Sequence, residues 1–241
     1  MNNAVKTEKT IDSRIRVVKD RIKNAALSCG REPSSITLVA VSKTMPAHRV
    51  SQAIDAGIST FGENYIQEAR AKVDELSRFG VSWHFIGHLQ TNKVKYAVPR
   101  FDLIHSVDSE KLAREIDRQA KKLDKRQAIL IQVNVGKEAS KSGIDENGAE
   151  KLVRAAAAMP NLIVRGLMAI PPFFDDPETA RPYFKALAGL RERIARTKIS
   201  HQSGEKFMAD LSMGMTGDFE AAITEGATMV RIGTAIFGQR K

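Results

Sequence analysis

The chain has 241 residues, 42% hydrophobic and 27% charged, enough to bury the core of one large domain or two small ones. A single cysteine, Cys29, excludes an intramolecular disulfide, and no stretch reaches the roughly 20 apolar residues of a membrane helix. The net charge of +10 points towards polyanions or phosphate ligands, but no nucleic-acid motif accompanies it. Its cations are mixed with acidic residues over 111–126 and 181–198, the pattern of solvated helix faces.

The amino-terminal residues are polar and carry no apolar signal core, so with its lone thiol the chain is expected in the cytoplasm. A first helix is predicted over 10–29, where Ile11, Ile15, Val18, Ile22 and Ala25 make one apolar stripe and Gly30 supplies the stop. Residues 36–41 form a β-branched, apolar run suited to a strand buried on both faces; Lys43 and Pro46 follow it. The alternation then repeats. Strands are predicted over 59–63, 83–87, 103–107, 128–134, 163–170, 207–212 and 229–233. Between them come helices over 47–56, 64–79, 91–98, 109–123, 146–159, 177–197 and 218–225, with a closing turn over 234–237. Eight βα units in this length match a (β/α)8 TIM barrel, a single α/β domain over 1–241 with an extra N-terminal helix and a barrel over about 36–238. A doubly wound open sheet is the alternative, although the first βα turn, Ser-Lys-Thr-Met-Pro, has no glycine fingerprint.

A barrel builds its active site at the carboxyl ends of its strands. Alternation places Lys43 on the face of Val39 and Val41, and Arg231 with Gly233 towards the mouth. The ends of strands seven and eight, 212–218 and 231–234, are rich in Gly, Ser and Thr, residues that let backbone amides approach an anion. A lysine and a phosphate site on one rim suggest a phosphorylated carbonyl compound bound to the amine as an imine, which requires the lysine pKa to fall well below about 10.4. The competing reading is a lysine that snorkels into solvent beside ordinary turns. His84 and His88 would stand about 13 Å apart along a strand, too far for one metal. His105 reads as a satisfied core histidine, and no metal cluster is expected.

At these residues the sequence resembles the pyridoxal phosphate homeostasis protein family. The matching segments are 38–44 (Leu-Val-Ala-Val-Ser-Lys-Thr), 61–65 (Phe-Gly-Glu-Asn-Tyr), 83–93, 141–143 (Lys-Ser-Gly), 166–168, 211–215 (Leu-Ser-Met-Gly-Met), 218–219 and 230–238. The resemblance covers essentially the whole chain and implies the barrel also found as a domain of alanine racemase. It further implies that Lys43 holds pyridoxal 5′-phosphate as a Schiff base. Ser212, Gly214, Gly233 and Thr234 would cradle the phosphate beside Met213, and Arg231 would face the pyridine nitrogen. Asn64 would lie near the ring substituents, Met168 and Ile170 would face the ring, and Lys141 would serve a secondary cofactor site. An arginine only donates, so its ring nitrogen stays unprotonated and withdraws electrons weakly. No second domain can be placed, and Tyr65, Tyr96 and Tyr183 offer no evident base at the rim. The expected role is therefore non-catalytic: buffering the cofactor or delivering it to PLP-dependent apo-enzymes, by a monomer with no specific nucleic acid or membrane partner. A single-domain amino acid racemase is the alternative, with a lysine-imine aldolase and a polyanion binder as more distant ones.

Overall fold

The computed structural model describes residues 10–136, 138, 142–199 and 207–239. The first apolar stripe becomes α1 (Ile11–Ser28), opened by the Thr10 hydroxyl, which accepts from the Ser13 amide at 3.2 Å. The β-branched run forms β1 (Thr37–Val41). It is followed by β2 (Thr60–Glu63), β3 (Ser82–Phe85), β4 (Leu103–Val107), β5 (Gln127–Gln132), β6 (Leu162–Met168), β7 (Asp210–Ser212) and β8 (Met229–Ile232). Between them lie α2 (Ala47–Asp55), α3 (Ile66–Leu76), α4 (Val94–Ala97), α5 (Glu110–Lys121), α6 (Glu146–Ala157), α7 (Arg181–Ala195) and α8 (Phe219–Thr224), and α9 (Thr234–Phe237) follows β8. All strands are parallel. Each pairs with the next, and β1 pairs with β8 from Thr37–Met229 to Ala40–Ile232. That closure gives the TIM barrel and rules out the open sheet.

The strands sort their side chains by alternation. Ala40, Phe61, Phe85, Ile104, Ile129, Ile131, Leu167, Leu211, Val230 and Ile232 join the helices in one continuous core. Val39, Leu103, Leu130, Met168 and Met229 form a second, smaller cluster, as expected for the filled interior of a barrel. Outside the ring, α1 packs on α8 and α9. Arg21 pairs with Glu220 at 2.6 Å and covers the Phe219 ring, while Arg31 donates to the Ile223 carbonyl.

Several ends differ from the expected ones for local reasons. β7 begins at Asp210 rather than 207 because Met208 takes φ +53°, outside the extended region. β6 stops at Met168, two residues short, before Ile170-Pro171, where proline has no N–H to continue a ladder. The predicted helix over 64–79 begins only at Ile66 and finishes as a 3-10 turn, Ser77–Phe79, against Gly80 at φ +63°.

Candidate functional site

At the carboxyl rim of the barrel, a cavity of about 410 Å³ is lined by Lys43, Asn64, Thr216, Gly217, Asp218, Arg231, Gly233 and Thr234. Val41, Ile86, Ile170 and the segment 171–174 form its apolar wall. Phe174 in that wall stacks on Tyr183 at 5.7 Å, and none of the three tyrosines lines the cavity. A larger cavity of about 1100 Å³ lies between the start of α1, α2 and α9, with Asp12 and Asp55 beside Arg14 and Arg49. Its lining includes no lysine, whereas the rim cavity contains Lys43.

Lys43 stands half-buried in the turn between β1 and α2, followed by Thr44 at φ +65°, a left-handed conformation unusual for a β-branched residue. The turn is held from below. Lys72, on α3, donates to the Ser42 carbonyl at 2.7 Å, to Glu63 Oε1 at 2.7 Å and to Glu68 Oε1 at 2.8 Å. The Ser42 hydroxyl donates to the same Glu63 oxygen at 2.6 Å, and the Thr44 amide donates to Glu68 Oε1 at 2.6 Å. Both neighbours of Lys43 are thus tied to one ion cluster. Glu63 is fully buried, and that burial pushes its carboxyl pKa up against the opposing pull of Lys72. Its Oε2 has no hydrogen-bond partner among the described residues. On the neighbouring wall, a Cβ at Gly87 would stand 2.1 Å from the Asn64 carbonyl oxygen. Only glycine lets the chain after β3 approach Asn64 so closely.

The opposite side is built by β7 and β8. Arg231 is buried and lines the cavity floor. Its Nη1 donates to the Ser212 hydroxyl at 2.6 Å and its Nη2 to the Ala169 carbonyl at 2.9 Å. Burial draws its pKa down to about 10, with Asp218 acting in the other direction, so it stays charged at neutral pH. Ser212 Oγ also meets His105 Nδ1 at 2.9 Å, and His105 Nε2 meets His84 Nδ1 at 3.0 Å. Burial lowers both rings: His84 to about 4, with Asp102 opposing and Arg165 assisting, and His105 well below its ordinary value, helped by His84, Arg231 and Arg165. Asp218 folds the loop by accepting from the Met215 amide at 2.6 Å, and burial raises its carboxyl.

Of the residues expected in the site, Lys43, Asn64, Arg231, Gly233 and Thr234 come together in the cavity. Ser212, expected in the phosphate cradle, is fully buried, its hydroxyl against Arg231 and His105. Met168 lies in the inner apolar cluster and Met213 in the outer core, each fully buried. Gly214 (φ +90°) is required by packing, since a Cβ there would stand 2.6 Å from that of Ala222. Ile170 does line the cavity, and Lys141 lies outside the described residues. Thr216, Gly217 and Asp218, further along the same loop, line the cavity. The Lys72 cluster was missed, although a signal existed: Lys72 falls within the apolar stripe of α3, Ile66, Ala69, Val73 and Leu76.

The alanine racemase N-terminal domain family matches residues 17–241 of this chain. The pyridoxal phosphate homeostasis protein of Aquifex aeolicus is 42% identical over 228 residues, 95% of this chain and 97% of that one. Its counterpart in Escherichia coli K12 is 45% identical over 230 residues, 92% of this chain and 94% of its own. Among solved structures, PipY of Synechococcus elongatus with PLP bound superposes with a TM-score of 0.78 at 33% identity, covering 95% of this chain and all of PipY.

Proposed function

Since the chain belongs to the pyridoxal phosphate homeostasis proteins, within the alanine racemase N-terminal domain family, we propose that it binds pyridoxal 5′-phosphate in the rim cavity and holds it for buffering or delivery rather than for turnover. The observation that carries this reading is the meeting of three kinds of group in one space. Lys43 offers an amine to an aldehyde, the loops with Thr216, Gly217, Gly233 and Thr234 offer hydroxyls and close backbone to a phosphate, and Arg231 offers a fixed cationic donor. That set fits the cofactor. When bound, the cofactor supplies an electrophilic carbon and an electron-withdrawing ring.

In this proposal Lys43 would hold the cofactor through its aldehyde carbon, Asn64 would stand by the ring substituents, and Arg231 would donate to the ring nitrogen. Because Arg231 stays protonated at neutral pH and has no lone pair to offer, it would keep that nitrogen an acceptor. The apolar wall of Val41, Ile86 and Ile170 keeps water from the ring, and no tyrosine in the cavity is placed to move a proton from a substrate. Binding without substantial catalysis follows from these groups. Delivery to PLP-dependent apo-enzymes, a monomeric single-domain chain, cytoplasmic residence and a secondary role for Lys141 belong to the same proposal. Incubation of the loaded protein with L-alanine in deuterated water tests it: negligible deuterium at Cα and negligible D-alanine are expected. Sustained turnover on the order of 1 s⁻¹ would instead identify a single-domain racemase.

A further inference from the structure

Two buried histidines stand below the cavity floor, and the proposed binding mode assigns them nothing. Their hydrogen bonds can be given a direction from one end. The Arg231 guanidinium only donates, so the Ser212 hydroxyl must accept from Nη1. That hydroxyl is fully buried, and its own proton needs an acceptor. Among the described residues its other hydrogen-bond partner is His105 Nδ1, 2.9 Å away. His105 Nδ1 therefore accepts, and its Nε2 carries the proton. The 3.0 Å contact to His84 Nδ1 then makes that nitrogen an acceptor as well, leaving the second proton on His84 Nε2. The reverse order would place two donors on Ser212 and leave its proton without a partner inside the barrel.

We infer that Arg231, Ser212, His105 and His84 form one directed chain in which each hydrogen bond between members runs away from the cavity, with Ser212 and His105 as positioning residues for the Arg231 guanidinium. With Nη1 held by β7 through Ser212 and Nη2 held by the Ala169 carbonyl after β6, the guanidinium plane is fixed from two strands. The charges facing the two rings are Arg231 near the cavity end, and Asp102 and Arg165 near His84. A chain in this order passes no proton up to the floor of the site. The claim about binding rests on the proposed cofactor reading; the claim about the chain does not.

The test separates the two. In the cofactor-free protein with ¹⁵N-labelled histidine, NMR should find Nδ1 bare and Nε2 protonated on both His105 and His84, with neither ring titrating from about pH 8 down to pH 5.5. A proton on His105 Nδ1, or a charged ring near neutrality, overturns the chain whatever the cofactor does. Pyridoxal phosphate and pyridoxal are then titrated into variants. His105→Leu, which leaves the Ser212 proton without an acceptor, should weaken both ligands roughly tenfold. His105→Asn, whose Oδ1 can accept in place of Nδ1, should stay within about twofold of wild type. Unchanged binding in His105→Leu, or equal losses in both variants, overturns the positioning role. Where His105→Leu does not fold, Ser212→Ala replaces it. Weakening of both ligands supports positioning, and a loss confined to the phosphorylated ligand overturns it in favour of a phosphate contact. Failure of the wild-type protein to take up either ligand would sink the cofactor reading and the positioning role with it, while the tautomers would still decide the chain.

Discussion

Beneath Lys43, buried polarity is balanced by opposite charge: Lys72 stands between Glu63 and Glu68 and also donates to the Ser42 carbonyl of the turn. Beneath Arg231, the buried partners are neutral, a serine and two histidines linked in series. The ion cluster fixes a backbone, since its bonds end on the Ser42 carbonyl and the Thr44 amide. The neutral chain fixes a side chain. The difference follows from what each must hold. A strained turn with Thr44 at φ +65° needs strong, short-range restraint, whereas a cation placed to donate to a ligand would be quenched by a buried carboxylate at its side.

Loss of Lys72 is expected to have the largest effect. Lys72→Met leaves Glu63 buried without its cation and should cost about 3–5 kcal/mol of stability, read from urea denaturation. Adding Glu63→Gln to that variant should recover much of the loss, because the orphaned charge is gone. A cost under about 1 kcal/mol for Lys72→Met would mean that the cluster is not held together by charge.

A smaller effect separates the two regions by pH. The neutral form of His84 is favoured by folding, which lowers its pKa from 6.5 to about 4. Between those values the unfolded chain binds the proton and the native state does not. Stability present above pH 6.5 is therefore lost on acidification towards pH 4, by about 3 kcal/mol in all. Glu63 acts in the opposite sense. Its carboxyl is raised in the fold, so between the ordinary carboxylate value and its raised one the native state binds the proton more tightly and acidification favours folding. Denaturation curves at several pH values should show a shallower acid loss in His84→Gln than in wild type, and a steeper one in Glu63→Gln. Identical pH dependence in all three proteins would contradict the assignment of both shifts.

How much of this could be read from the chain follows from the range of each signal. The eight βα units and the placement of Lys43 and Arg231 at the carboxyl rim were legible, because alternation and strand ends are local patterns. Ser212 was legible as the end of β7, but its buried contacts with Arg231 and His105 were not. The loop after β7 continues to Asp218 before α8 begins, so the cavity is lined by Thr216 and Gly217. His105 was expected to be a satisfied core histidine, yet its partners come from β3 and β7, and no local pattern reveals which residues a closed barrel brings face to face. Lys72 shows the same limit from a helix. Its Glu68 partner is four residues away and visible in the sequence, while Glu63 and the Ser42 carbonyl become neighbours only when α3 docks beside β1 and β2.

We propose that these two regions hold Lys43 and Arg231 around one cofactor. This is tested most directly by loading the protein with pyridoxal phosphate, reducing it with borohydride and mapping the modified peptide. A stable pyridoxyl group on Lys43 is expected, and no absorption band of the bound cofactor in Lys43→Ala. Recovery of the label mainly on Lys93 or Lys141, or a band that survives in Lys43→Ala, would contradict it.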